Sequence, residues 1–425
     1  MKKILLLFTI AFYCAAAVAQ TITEGYSKFT TAQNRSKFHN DLLTHSITQN
    51  LSQPLNDETE ENWQDAFSAI ELLNYLPPAA KPAIKTAVDS MKYRSIYFQQ
   101  SLLEMLYANQ YLQFEQPVAN LMSTTGNAKI FAICAEYLLL SDTSKKIVAK
   151  IKKTAMEKPI LFTGDNNITI MLELFRHMDN LSKKANFAGK PQLKALFGKN
   201  YLAGNVIVYS IQRKSRSYPG IVIVKDTTGN FMKNDDGEIF SVPQLARSLS
   251  NFPAYLSNGN TPQGIYRMHG FGSSRNPFIG PTDNLQLSMP YETSLMHFLK
   301  DSSITDTAWS KKWYRRLLPP SFQNYEPFYE TLYASEAGRR EIIAHGTAVD
   351  PAFYKGQVYY PYTPTAGCLC TREIWDATGK RIFSDEQKLV DAVKKAGGAN
   401  GYLIVLELDD TQKMLTIEEI LPYLK

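Results

Sequence analysis

A chain of 425 residues with 44% hydrophobic and 20% charged side chains is too apolar to stay unfolded and longer than one core usually organises, so two domains are expected. Its formal charge of +6 is spread without Lys/Arg clusters, which argues against nucleic-acid binding and is compatible with an anionic polymer of the cell envelope. Four cysteines are too few, at this length, for a disulfide framework.

The chain opens Met1-Lys2-Lys3, runs apolar from Ile4 to Cys14 and reaches Ala17-Val18-Ala19 before Gln20. A basic start, a short apolar core and a small-residue end describe a secretory signal over residues 1–19, too short for an ordinary transmembrane helix. Bulky Tyr13 argues against lipidation at Cys14. The expected mature chain begins at Gln20, is exported across the inner membrane to the periplasm or cell envelope, and carries no membrane span. Cleavage leaves Cys134, Cys368 and Cys370, an odd number for an oxidising compartment, which suits a functional thiol better than paired disulfides.

Residues 20–197 read as a helical domain. Trp63, Phe67, Ile70 and Leu73 recur at helical spacing, and Leu102, Met105, Leu106 and Tyr111 repeat a similar stripe. Pro77-Pro78 marks a stop, and Asp142-Thr143 before Ser144 marks a new start. Cys134, in an apolar helical run, is expected to be a buried small hydrophobe. The aromatics Tyr93, Tyr97, Phe98, Tyr107 and Tyr111 are expected in the core, with a glycan-lining groove as the alternative. His39, His45 and His177 have no partner at metal-ligand spacing. The boundary is expected within residues 181–198, rich in Lys, Asn, Gly and Pro.

The remainder, 198–425, changes character. Val206-Ile207-Val208-Tyr209-Ser210-Ile211 and Gly220-Ile221-Val222-Ile223-Val224-Lys225 are β-branched runs that predict a hairpin. An amphipathic piece is expected around 245–256. A strand is expected from Gly264, with Tyr266 and Met268 on one face and Ile265 and Arg267 on the other. Residues 384–396 predict a helix stopped by Gly397-Gly398, followed by a buried strand at Tyr402-Leu403-Ile404-Val405-Leu406. The tail, 414–424, predicts a strand and a short helix. The fold class is therefore α+β: a helical region followed by a mostly β one.

Chemistry concentrates in 342–375. His345-Gly346 ends an apolar run, and Thr365-Ala366-Gly367-Cys368 ends a small-residue turn. A thiol nucleophile needs a base on a rigid strand and a turn whose backbone N–H groups face a developing oxyanion. Cys368 is thus the candidate nucleophile and His345 its base, with the N–H groups of Gly367 and Cys368 as oxyanion donors. The sequence offers no single group to orient His345: the carbonyl of Gly346 or of a neighbour is one candidate, and Thr365 is a further member of the same cluster.

His345-Gly346 with Thr365-Ala366-Gly367-Cys368-Leu369, preceded by Thr261-Pro262-Gln263-Gly264-Ile265-Tyr266, resembles the HG…[ST]xGC signature and TPxG segment of the YkuD-type L,D-transpeptidases. The resemblance covers roughly 200–425. It implies a sandwich-like β catalytic domain, no cofactor and no metal, and cysteine-dependent acyl transfer on peptidoglycan stem peptides for wall crosslinking or remodelling. It assigns Cys368, His345, Gly346, Gly367 and Thr365 to the catalytic set. Three features depart from it: Ala366 where many relatives have histidine, Cys370 where Arg or Asn is usual, and 22 residues between His345 and Cys368, more than is typical.

Substrate contact is expected from Arg275, Tyr291 and His297 in the segment between the two motifs, from Arg372 as a stand-in for the missing basic residue, and from Tyr360 and Tyr362 in the long His–Cys insertion. The insertion's aromatics, which include Phe353, Tyr354 and Tyr359, equally suit a packed β-hairpin. Cys370 faces the side of Cys368, which raises an oxidised CxC pair against simple packing. Competing readings are release of the acyl group to water by an L,D-carboxypeptidase or endopeptidase, and a non-catalytic envelope scaffold with a degenerate site. A metal centre of His269 or His345 with Cys368 and Cys370 matches no zinc spacing. The helical region offers a surface for an envelope protein partner.

Overall fold

The computed structural model of the protein describes residues 25–181 and 191–424. The signal segment, the start at Gln20 and half of the expected boundary lie outside the described residues.

From 25 to 181 the chain is helical, and its apolar stripes meet as expected. Trp63, Phe67, Ile70 and Leu73 of the helix Glu60–Leu73 share one core with Leu102, Met105 and Leu106 of Ile96–Ala108 and with Phe131 and Cys134 of Ala128–Ser141. Asn74, in the left-handed conformation (φ 48°), ends the first of these ahead of Pro77-Pro78. Ser144 caps Lys145–Met156 by accepting the N–H of Ile147. Cys134 is wholly buried. The aromatic stripe splits, however: Phe98 and Tyr107 are buried, whereas Tyr93 and Tyr97 are 71% and 76% exposed. Tyr93 ends a separate turn, Met91–Tyr93, before the helix begins at Ile96, so the two tyrosines do not share the packed face.

The rest of the chain supplies ten strands: β1 (Ile207–Gln212), β2 (Gly220–Lys225), β3 (Val242–Gln244), β4 (Gly264–Gly272), β5 (Asn284–Ser288), β6 (Ala344–His345), β7 (Leu369–Cys370), β8 (Glu373–Trp375), β9 (Arg381–Ser384) and β10 (Tyr402–Glu407). Eight form one sheet in the order β3-β2-β1-β10-β4-β5-β6-β7, while β8 and β9 pair separately. The predicted β1–β2 hairpin is antiparallel, and β10 inserts parallel to β1.

Strand alternation assigns two faces. Ile207, Tyr209, Ile265 and Ile404 enter a core with Phe298, Tyr314 and Phe328. Val208, Tyr266, Met268 and Leu403 enter another with Leu389 and Val393 of the helix Asp385–Ala396. Strands buried on both sides need cover on both. The expected two-sheet sandwich is therefore replaced by one large sheet with helical segments against each face. Its edges nearly meet, because Leu245, next after β3, exchanges backbone hydrogen bonds of 2.8 and 2.9 Å with Cys370 of β7.

Two further local expectations change. Residues 245–256 are extended chain and turns rather than a regular amphipathic element, and 414–424 form short helical turns with no strand. Leu415 keeps one strand-like bond, donating its N–H to Pro219. Among the described residues no helix is long and apolar enough to cross a membrane.

The helical region grips the segment that precedes β4. Phe252, Tyr255 and Leu256 belong to the helical core. The Phe252 ring lies 4.4 Å from that of Tyr107, and the Tyr255 hydroxyl donates to Glu136 at 2.6 Å. Glu136 also holds His177 Nδ1 at 2.8 Å, so this carboxylate ties two helices to the loop they carry.

Candidate active site

The site forms where the sheet closes. β6 and β7 run parallel with Ala344 opposite Leu369 and His345 opposite Cys370. The N–H of Leu369 donates to Ile343 and that of Thr371 to His345, each at 3.0 Å. Ala344 and Leu369 point into the core, so alternation turns His345, Cys370 and the residue two before it, Cys368, toward the opposite face. His345 is 4% exposed, and its Nδ1 bonds the carbonyl of Gly346. That bond makes Nδ1 the protonated nitrogen and leaves Nε2 as the basic one. Gly346 has no room for a side chain: a Cβ would come within 2.4 Å of the Glu373 carboxyl carbon. Glu373 is itself held by the hydroxyls of Thr282 and Ser384, both at 2.6 Å. Trp375 Nε1 donates to the carbonyl of Thr347 at 2.9 Å. The short hairpin β8–β9 therefore braces the backbone that orients the imidazole.

The cysteine turn is held from three sides. Thr365 Oγ1 accepts the N–H of Gly367 at 3.0 Å and donates to the carbonyl of Cys368 at 2.9 Å. Thr261, first residue of the TPxG segment, donates to the carbonyl of Gly367 at 2.9 Å. Arg339, 4% exposed, spends its guanidinium on three carbonyls: Nη1 on Ala254 and Asn260 at 2.5 and 2.6 Å, Nη2 on Gly259. These bonds tie the pre-β4 segment against Gly367, whose φ of +117° only glycine adopts readily. One expectation is corrected here. The N–H of Gly367 is not free to face an oxyanion, because the Thr365 hydroxyl has taken it to close the turn. Among the described residues the N–H of Cys368 has no such bond.

The Cys368 thiol is half-buried and lies 3.7 Å from the carbonyl of Glu341. Glu341 is left-handed (φ 64°), an unusual conformation for a non-glycine residue. Burial pushes the thiol pKa up, against the pull of the Ile343 amide and the Arg339 charge. Burial lowers that of His345 to about 4, against the Gly346 bond. Burial thus favours the neutral form of both the thiol and the imidazole.

That depressed histidine has a measurable consequence. Unfolded, the imidazole protonates near 6.5; folded, only near 4. The unfolded chain thus binds the extra proton across this window, and folding stability falls as pH falls through it, by up to about 3 kcal/mol. His345→Gln should remove that share of the slope. Denaturant melts of both proteins at pH 7 and pH 4 check this, and equal pH slopes would contradict the assignment.

The expected site residues divide. Cys368, His345, Gly346, Gly367 and Thr365 come together at the seam. In the insertion, Pro351–Tyr354 is a short helical turn capped by Asp350 rather than part of a β-hairpin. Tyr354, Tyr359 and Tyr362 pack with Leu245, and Phe353 stacks on His39 at 5.6 Å. Tyr360 alone of the tyrosines here stays open, at 47% exposed. Arg372 lies 5.5 Å over the Phe383 ring, and its charge reaches the hydroxyl of Tyr362. Tyr291 bonds Glu336 at 2.8 Å and packs against Trp309. Arg275 is exposed on the β4–β5 connection, and His297 lies beside His269.

Cys370 is a buried, free thiol beside the Thr363 hydroxyl, its pKa raised by burial. All three described cysteines are free, so Cys368 and Cys370 form no pair. Among the described residues no cluster of His, Cys, Asp or Glu is arranged to hold a metal ion. Arg339 and Glu373 escaped the sequence reading. The one signal for Arg339 is a basic pair, Arg339-Arg340, directly ahead of a buried strand.

Comparison of the chain with protein-family models, with characterised proteins and with solved structures finds no match.

Proposed function

We propose that the protein is a cysteine acyltransferase of the L,D-transpeptidase type, exported to the cell envelope, where it acts on peptidoglycan stem peptides. The observation that carries this reading is the pairing of β6 with β7. It sets an oriented imidazole and a half-buried thiol at one seam, with the TPxG threonine bonded to the glycine before the cysteine.

In this reaction the Cys368 sulfur attacks the carbonyl carbon between the third stem residue and the terminal D-alanine. The thiol proton passes to His345 Nε2, and the N–H of Cys368 faces the oxyanion. The intermediate collapses as His345 returns that proton to the departing amine, leaving a thioester and free D-alanine. An acceptor amine then attacks the thioester, gives its proton to His345 and restores the thiol. Water in place of the amine would give the carboxypeptidase outcome.

Mass spectrometry of the mature chain incubated with a disaccharide tetrapeptide tests the reading, with Cys368→Ala alongside. Crosslinked dimer and D-alanine from the wild type alone are the expected result. Tripeptide without dimer would indicate hydrolysis. No product, with a Cys368 thiol that titrates near the ordinary value of about 8.5 and gives no acyl adduct, would favour the scaffold reading.

A further inference from the structure

A second chemical site lies between the helical region and the cysteine turn. A cavity of about 400 Å³, at the lower end of the range that holds small ligands, is lined from the helices by Glu71 and Gln110 and from the other side by Arg247, Tyr354 and Tyr359. Its wall continues into the cysteine turn. The carbonyl of Arg247 accepts the N–H of Thr365 at 3.3 Å, and the N–H of Leu249 donates to Thr365 at 2.8 Å.

Two of the groups facing the cavity keep polar atoms without a partner among the described residues. Tyr354 is 1% exposed, yet its hydroxyl has no hydrogen-bond partner among the described residues. Arg247 donates Nη1 to Ser217, hydrogen-bonds the Tyr359 hydroxyl and lies 5.1 Å over the Tyr359 ring, while its buried Nε has no partner among the described residues. Among the described residues neither Arg247 nor Glu71 has an ion-pair partner, although the charges of both reach the Tyr354 hydroxyl. A cation, a carboxyl group and an unused hydroxyl thus line one partly open cavity, where burial and the neighbouring Glu104 charge push the Glu71 pKa well up and favour its protonated form until a cation arrives. Buried charges are normally paired, so a ligand carboxylate would complete Arg247, and a ligand ammonium would favour the ionised form of Glu71 and pair with it.

We propose that this cavity binds the zwitterionic head of an α-amino acid, its ammonium on Glu71 and its carboxylate on Arg247 and the Tyr354 hydroxyl. Arginine suits a carboxylate because its planar fork matches both oxygens. Two sources share this chemistry: a free amino acid, and the exposed amino-acid end of a diamino acid within a stem peptide. The second would connect the cavity to the acyl-transfer reading, but binding itself does not rest on it. A ligand here would press on the strand segment that carries Thr365, and so on the cysteine turn.

Calorimetric titration of the mature chain carrying Cys368→Ala separates binding from turnover. The probes are meso-diaminopimelate, the disaccharide tetrapeptide containing it, and cadaverine, which offers ammonium without carboxylate. Binding of diaminopimelate but not cadaverine is expected, weakened tenfold or more by Glu71→Gln and by Arg247→Gln. Tyr354→Phe, which keeps the ring in its apolar cluster, should weaken it several-fold without loss of fold. Binding of the tetrapeptide alone, with the same sensitivity to the three variants, would assign the stem peptide as source. No binding by either amino-acid probe, equal binding of cadaverine, or binding indifferent to Glu71→Gln and Tyr354→Phe would overturn the proposal.

Discussion

Gly367→Ala should cost about 3–5 kcal/mol of stability and at least a hundredfold in the proposed acyl transfer. The added Cβ would lie 2.0 Å from Arg339 Nη2 and 2.5 Å from the carbonyl of Gly259. Neither neighbour can yield cheaply, since Nη2 is bonded to that same carbonyl and both are buried. The φ of +117° adds strain of about 1–3 kcal/mol for any residue with a side chain. The peptide before Cys368 must then rotate, carrying the Cys368 N–H off the oxyanion position. Thermal unfolding and single-turnover acylation measured together check this. A variant with wild-type melting and a wild-type rate would show that the turn is looser than its packing indicates.

Arg339→Met is expected to be nearly as damaging, through a different route. Three carbonyls, that of buried Gly259 and those of half-buried Ala254 and Asn260, would lose their donor at once. An unsatisfied buried acceptor costs about 1–3 kcal/mol, and because these three share one group the total should be about 3–5 kcal/mol rather than their sum. The same change removes the positive charge that opposes the upward shift of the Cys368 thiol. Iodoacetamide labelling as a function of pH should therefore move to higher pH in the variant. Arg339→Lys tests the two effects apart. Lysine keeps a charge but not the fork that reaches three carbonyls. It should lose stability like methionine while leaving the labelling curve closer to wild type. A labelling curve unmoved in Arg339→Met would remove Arg339 from the electrostatics of the thiol.

Much of the local structure was legible because it depends on neighbours along the chain. The β-branched runs at 206–211 and 220–225 paired as a hairpin because alternation and a polar turn specify it. Ser384 and Gly397 bounded the helix Asp385–Ala396 because capping is a matter of a few adjacent backbone groups. The stripe from Tyr93 to Tyr111 shows the limit. Spacing predicted that aromatics would align, but burial depended on where the helix began, and Tyr97 faces solvent beside a buried Phe98. In the insertion, spacing allowed a hairpin, whereas Pro351 and the Asp350 cap wound it into a helical turn that packs toward His39.

The order HG, TxGC and the candidacy of Cys368 and His345 were legible from residue type and position alone, since only a few side chains suit nucleophilic chemistry. Their arrangement was decided by tertiary structure. The meeting of Leu245 with Cys370, the reach of Arg339 to Gly259, and the carboxylate of Glu373 behind Gly346 all join residues far apart in the chain. No local pattern encodes such contacts. They exist because burying both faces of one sheet brings particular edges together, and the backbone groups left at that seam must find donors and acceptors there.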